Sequence, residues 1–138
     1  MTDLSEDERR LLIDLAIEAR RRAYSPYSNY LVGAALRTKS GRIFTGCNVE
    51  NAAYPTGICA ERVAVFKAVS EGERTFEVIA VVTSKGGSPC GSCRQVLAEF
   101  GLDTTILIAD IEGHLLQENT VAGLLPEAFT PKDLMDAG

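Results

Sequence analysis

Leu11, Leu12, Leu15, Ala16 and Ala19 recur at helical spacing and predict an N-terminal amphipathic helix with one face on a core. Ser5 with Glu8 three residues later makes a capping box, and Glu6, Asp7 and Glu8 set negative charge against the positive end of the helix dipole. Arg20, Arg21 and Arg22 suit the last carbonyls, although such a trio can also be read as an anion site. Tyr24-Ser25-Pro26-Tyr27-Ser28-Asn29 breaks the helix. Two strands follow, Tyr30 to Arg37 and Arg42 to Val49, joined by a hairpin turn around Lys39-Ser40-Gly41. A loop with Pro55 and Gly57 leads to a helix from about Cys59 to Ser70, closed by Gly72. Phe76 to Thr83 is almost continuously apolar and rich in β-branched residues, the pattern of a central buried strand. Gly86-Gly87-Ser88-Pro89 opens a helix from about Gly91 to Phe100, which ends at Gly101. Thr104 to Ala109 is a second buried strand, then come a turn at Glu112-Gly113, a short segment near Leu115-Leu116 and a tail with Pro126 and Pro131. This order predicts an α/β fold of three layers, α-β-α, around a central mixed sheet.

Length and charge narrow the class. The chain has 138 residues, and residues 1–138 are expected to form one domain with no repeat or linker. At 46% hydrophobic and 24% charged, the chain matches ordinary globular composition, and no run reaches the roughly 20 apolar residues of a membrane span. The acidic start, Asp3-Leu4-Ser5-Glu6-Asp7-Glu8, lacks the basic and apolar regions of a secretory signal, so a reducing cytoplasmic setting is expected. A net charge of -5 argues against nucleic acid as partner and for a small neutral ligand.

In that setting the four cysteines point to metal or catalysis. Cys59-Ala60-Glu61 and Pro89-Cys90-Gly91-Ser92-Cys93 both fall at predicted helix starts, where free amide N–H groups and the dipole favour thiolates. A Cys-x-x-Cys step lets two sulfurs reach one tetrahedral ion, and three protein ligands leave one position open, as in catalytic zinc sites. Glu61, two residues after the lone ligand, is placed for general acid–base work. Zinc deaminases of nucleobases carry this layout, with the glutamate outside the ligand set. Two other readings use the same cysteines. A redox dithiol at Cys90 and Cys93 ignores Cys59-Ala60-Glu61, and a structural four-cysteine site requires Cys47. On an alternating strand, Asn48 and Glu50 share one face while Cys47 and Val49 share the other, which turns Cys47 away from a polar site.

Over nearly its whole length the chain resembles the small homotetrameric zinc-dependent cytidine deaminases. The matching segments are Tyr24-Ser25-Pro26-Tyr27-Ser28, Val32-Gly33-Ala34-Ala35, Gly46 to Tyr54, Cys59-Ala60-Glu61-Arg62, Pro89 to Gln95 and Leu124 to Phe129. The resemblance implies one Zn2+ per chain on Cys59, Cys90 and Cys93, with Glu61 as proton shuttle. It implies that Asn48 and Glu50 bind the ribose; the bland alternative is two exposed polar strand positions. Tyr30 stands where the family usually has a phenylalanine beside the pyrimidine, or else is a core aromatic. The amides of Ala60 and Cys90 are implied to polarise the substrate or support its oxygen, and the Ser88 carbonyl to accept from the leaving amino group. Arg62 is implied to offset the charge of three thiolates, against an exposed helix-surface arginine. Tyr54 and Phe129 resemble residues that reach a neighbouring subunit's site; local packing is the alternative for Phe129. His114, the sole histidine, reads as a surface residue beside a turn.

The implied reaction is hydrolytic deamination of cytidine and 2'-deoxycytidine to uridine and 2'-deoxyuridine with release of ammonia. The rivals are a blasticidin-type aminopyrimidine deaminase, a polynucleotide deaminase, and a non-catalytic zinc-stabilised interaction protein.

Overall fold

In the computed structural model, which describes residues 3–136, the apolar runs pair into one five-stranded sheet ordered β2-β1-β3-β4-β5. The chain runs α1 (Glu6–Arg20), β1 (Gly33–Thr38), β2 (Ile43–Cys47), a 3-10 turn (Tyr54–Thr56), α2 (Ala60–Ser70), β3 (Phe76–Val82), α3 (Gly91–Phe100), β4 (Thr105–Ala109), β5 (Leu115–Thr120), α4 (Val121–Leu124) and α5 (Pro131–Asp136). β1 is antiparallel to both β2 and β3, β3 and β4 are parallel, and β5 is antiparallel to β4. The sheet is therefore mixed, as its element order predicts.

These directions matter for function. β2, β3 and β4 all point the same way, so α2, entered after β2, and α3, entered after β3, both begin at one end of the sheet. Both also pack on the same face. Ala64, Val65 and Ala68 of α2 and Leu97 and Ala98 of α3 share a core with Leu36, Ile79, Val81, Ile106 and Ile108. The alternate strand positions, Ala35, Val78, Ala80, Val82 and Leu107, pack against Leu12, Ile13 and Ala16 of α1 on the other face. A strand covered on both faces is apolar along nearly its whole length, which is why β3 lacks a polar alternation. It carries only one polar residue, Glu77, partly buried and bonded to Arg37 near the start of the strand.

Several boundaries differ from the sequence expectation. The first strand starts at Gly33, not Tyr30: the Tyr30 carbonyl and Val32 N–H are taken by the Asn48 side chain and the Leu31 carbonyl by Arg20, while the Val32 carbonyl still accepts from the Asn48 N–H at 3.3 Å. The second ends at Cys47. Only Val49 continues it, through isolated pairings with Tyr24 and Ile58. The capping box of α1 is present, with Ser5 N–H donating to Glu8 at 2.9 Å and Glu8 N–H to the Ser5 hydroxyl at 3.1 Å. Its buried stripe is Leu12, Ile13, Ala16 and Ala19; Leu11 is half exposed, since it lies one residue, about 100° of helix, behind Leu12. The tail folds into α4 and α5, elements too short to leave a periodic signature.

Gly46 sets how closely α2 approaches β2. A Cβ there would stand 2.5 Å from the Ala60 carbonyl oxygen and 2.7 Å from the Ala64 nitrogen, both helix backbone. Gly46→Ala is expected to push the start of α2 off the sheet. The cost is about 2 kcal/mol of unfolding free energy, and the displaced Cys59 should weaken zinc retention against a chelator. An unchanged melting temperature would show that the helix can move aside freely.

Candidate active site

The three cysteines meet where the two helices begin. Cys59 is the N-cap of α2 and Cys90 the N-cap of α3, both with extended backbone and neither using its side chain to cap. Their thiols are thus free to face one another across the gap. Cys93, one turn into α3, completes the group from the buried side. The three Sγ atoms lie within 4.8 Å of one another, and Cys59 Sγ is 3.9 Å from Cys90 Sγ. Two sulfurs each about 2.3 Å from a tetrahedral zinc stand roughly 3.8 Å apart, so the spacing and the soft donors both fit zinc. Cys47 is half-buried and does not belong to the group.

Arg62 bears on the same sulfurs, its Nη2 3.3 Å from Cys59 Sγ. Cys59 is drawn down to about 5, first by the Cys93 thiol that donates to it and then by the Arg62 guanidinium. Cys93 moves the other way, pushed up by that same hydrogen bond and by burial. Arg62 itself is raised by its bond to Cys59. The charge logic is that of an anionic sulfur cluster answered by one fixed cation.

Glu61 follows Cys59 by two residues and points into the protein. It is 4% exposed, and its Oε1 has no hydrogen-bond partner among the described residues. Burial, seconded by the Cys59 charge, raises its carboxyl to about 7. A carboxyl in that range can take and return a proton near neutral pH. An orphaned buried oxygen is costly unless something arrives to use it.

A cavity of about 580 Å³ opens over this group; its lining includes Cys59, Glu61, Arg62 and Cys90 together with Tyr30, Asn48, Glu50 and Tyr54. Ser88 lies on its wall; the amides of Ala60 and Cys90 sit at the two helix starts. Tyr30 is 52% exposed and so is no core aromatic; its hydroxyl lies against Gly87, where a Cβ would stand 2.2 Å from it. Asn48 is buried, its Oδ1 accepting from Val32 N–H at 2.9 Å and its Nδ2 donating to the Tyr30 carbonyl at 2.7 Å. One donor hydrogen and one lone pair of that amide remain for a ligand. Val49 also borders the cavity, because the strand ends before it and strict alternation no longer applies. Phe129 stands outside the cavity, 57% exposed, with its carbonyl held by Gln95 Nε2 at 2.6 Å. His114 is at the surface beside Asp110, 3.1 Å from its carboxylate.

Two sets of residues had no role in the sequence reading. Arg94 donates to the Pro89 carbonyl at 2.7 Å, the Leu124 carbonyl at 2.7 Å and the Ser88 hydroxyl at 2.9 Å, clamping the loop that carries Ser88 and Cys90. Ser25 and Ser28 bind the Glu50 carboxylate. Both lie inside matching segments, but nothing in local spacing reveals bonds that cross 22 or more residues of chain, or 30 for the Arg94–Leu124 contact.

Residues 6–109 match the family model for the cytidine and deoxycytidylate deaminase zinc-binding region. The chain is 50% identical over 132 residues to a cytidine deaminase of Halalkalibacterium halodurans, covering 94% of this chain and 99% of that one. It is 31% identical over 129 residues to a blasticidin-S deaminase of Bacillus cereus, covering 86% and 90%. Among solved structures it superposes on a cytidine deaminase of Burkholderia pseudomallei with a TM-score of 0.84 and 43% identity, covering 91% of this chain and all of that one.

Proposed function

The chain belongs to the cytidine and deoxycytidylate deaminase zinc-binding family, and from that premise we propose that it hydrolyses cytidine and 2'-deoxycytidine to uridine and 2'-deoxyuridine, releasing ammonia. The observation that carries this reading is the buried Oε1 of Glu61, without a partner among the described residues, in a cavity that is also lined by two of the three clustered thiols and by Asn48 and Glu50.

Cys59, Cys90 and Cys93 hold the zinc, and Arg62 balances their charge. When bound, zinc supplies a Lewis acid that brings the deprotonation of water into the neutral pH range. Glu61 takes a proton from the water whose oxygen bonds to C4 of the pyrimidine and passes it to N3. It then carries the remaining hydroxyl proton to the amino group, so the C4–N bond breaks, ammonia leaves and a carbonyl remains. The Ser88 carbonyl accepts a hydrogen bond from the departing amino group, and the Ala60 and Cys90 amides face the polar edge of the ring. Tyr30 lies along the base, and Asn48 and Glu50 bind the sugar hydroxyls.

The 138 residues act as one deaminase domain in the cytoplasm, in pyrimidine salvage. Phe66, Tyr54 and Phe129 are apolar side chains left exposed on the α2 side and tail, which supports a homotetramer whose neighbours complete each site. No helix among the described residues is long and apolar enough to cross a membrane. The 50% identity to a cytidine deaminase against 31% to the blasticidin-S deaminase favours the nucleoside as substrate.

The test is direct. Zinc-loaded protein should carry about one zinc per chain and convert cytidine with the loss of absorbance that accompanies uridine formation. In competition, cytidine should be consumed well ahead of blasticidin S. Folded, zinc-loaded protein inert on both nucleosides sinks the proposal.

A further inference from the structure

Glu50 does not wait for substrate with free oxygens. Its Oε1 accepts from the Tyr27 N–H at 2.9 Å and the Ser28 N–H at 3.2 Å. Its Oε2 accepts from the Ser25 hydroxyl at 3.1 Å and, in a shorter contact, from the Ser28 hydroxyl. A carboxylate offers about four acceptor positions. The Ser25 hydroxyl has a single hydrogen and two acceptors at 3.1 Å, Glu50 Oε2 and the Tyr30 carbonyl, so when it donates to Tyr30 one position on Oε2 is left for a ligand hydroxyl. These donors hold the carboxyl below its usual range, the Ser28 hydroxyl foremost.

The network extends beyond Glu50. The Ser28 oxygen accepts from the Tyr30 N–H at 3.0 Å and lies 3.0 Å from the Ser25 hydroxyl. Ser25, buried beneath it, lies 3.1 Å from the Tyr30 carbonyl, the same oxygen that accepts from Asn48 Nδ2. Asn29 makes this possible. Its φ of 59° reverses the chain so that Tyr30 N–H reaches back two residues, and asparagine tolerates that left-handed conformation well. One string of hydrogen bonds therefore joins Glu50, Ser28, Ser25, Tyr30 and Asn48.

We infer that Ser28, backed by Ser25, is a positioning residue for substrate recognition: the pair orders the Glu50 carboxylate in advance and locks it to Tyr30 and Asn48. The physical gain is preorganisation. A glutamate on an exposed segment otherwise loses its rotamer freedom when the ligand binds, and that loss reduces affinity. This inference rests on the reading of Asn48 and Glu50 as the sugar-binding edge.

The test uses the zinc-loaded protein with Ser28→Ala, Ser28→Thr, Ser25→Ala and, separately, Glu50→Gln. Each is assayed on cytidine and on its 2'-, 3'- and 5'-deoxy analogues, with uridine binding measured by calorimetry. Ser28→Ala should raise KM for cytidine and the uridine Kd on the order of tenfold, with kcat changed less than about twofold. Ser28→Thr keeps the hydroxyl at an exposed position with room for a methyl group, and should restore both constants to near wild type. Ser25→Ala should show the same pattern, more weakly. The Ser28→Ala penalty should vanish for the one analogue lacking the hydroxyl that Glu50 holds, identified as the analogue on which Glu50→Gln costs nothing. If Glu50→Gln discriminates among the analogues while Ser28→Ala leaves KM unchanged or lowers it, the serine is not a positioning residue. A loss in kcat equal on all four substrates also overturns the inference. If Glu50→Gln treats all analogues alike, it is the sugar-edge reading that fails.

Discussion

Glu61→Gln is expected to lower kcat by about 10³-fold or more while zinc content and fold are kept, within the range lost when a positioned general acid–base is removed. Glutamine fills the same volume in a site that is 4% exposed, so the core around α2 is undisturbed. What it lacks is the ability to take a proton and give it back. Its amide also places no ionisable group at the Oε1 position, which has no partner among the described residues and so is available to substrate and water. The stability readout separates this role from a structural one. Burial pushes the Glu61 carboxyl up from its ordinary 4.5 to about 7, so the folded state loses stability as pH rises between those values and above about 7 bears the full cost of holding the ionised group buried. Replacing it with a neutral amide removes that cost, and the melting temperature at pH 8 should be unchanged or higher. A glutamine variant that keeps more than about 1% of turnover would falsify the shuttle assignment.

Cys90→Ser should abolish both metal and activity. Cys90 is the exposed member of the trio, its Sγ 3.9 Å from Cys59 Sγ across the gap. A serine hydroxyl stays protonated where a thiolate would bind, and it is a poor zinc ligand. After dialysis against a chelator, zinc measured by mass spectrometry should fall from about one per chain to a small fraction. A ligand present at about 1,000 times its Kd adds roughly 4 kcal/mol to stability. At about 2–4 °C per kcal/mol for a chain near this size, its loss should lower the melting temperature by on the order of 10 °C. Cys47→Ser is the paired control. Cys47 sits on β2, away from the cluster, so its removal should leave zinc content and turnover unchanged. Metal loss on that substitution would revive a four-cysteine structural site.

Much of this was legible from residues alone, for identifiable reasons. The capping box, the almost continuously apolar β3 run and the glycine that ends α3 are local signals, and each appears where the pattern places it. Cys59-Ala60-Glu61 and Cys90-Gly91-Ser92-Cys93 were placed at helix starts because a loop with proline or glycine precedes each apolar helical stretch. Other features were hidden. Leu11 and Ile13 are equally apolar, and only the sheet's position decides that Ile13 is the buried one. The strand signal in Tyr30 to Val32 is real in composition, yet the Tyr30 carbonyl and the Val32 N–H are taken by the Asn48 side chain, 16 to 18 residues ahead. The duties of Ser25 and Ser28, and the Arg94 bond to Leu124, are side-chain bonds to atoms 22 or more residues away, and hydrophobic period carries no trace of them.

By itself the sequence determined the kit: three thiols and a carboxylate set at the starts of two helices, an acidic chain suited to a small neutral ligand, and a sheet with apolar strands at its centre. Those are consequences of residue type and near-neighbour spacing. Only the tertiary structure decided that the kit assembles. Cys59 and Cys90 are 31 residues apart along the chain, and they meet because β2, β3 and β4 share one direction, which brings α2 and α3 to the same end and the same face of the sheet. Strand direction is a property of long-range pairing, so it emerges only when the whole sheet is formed.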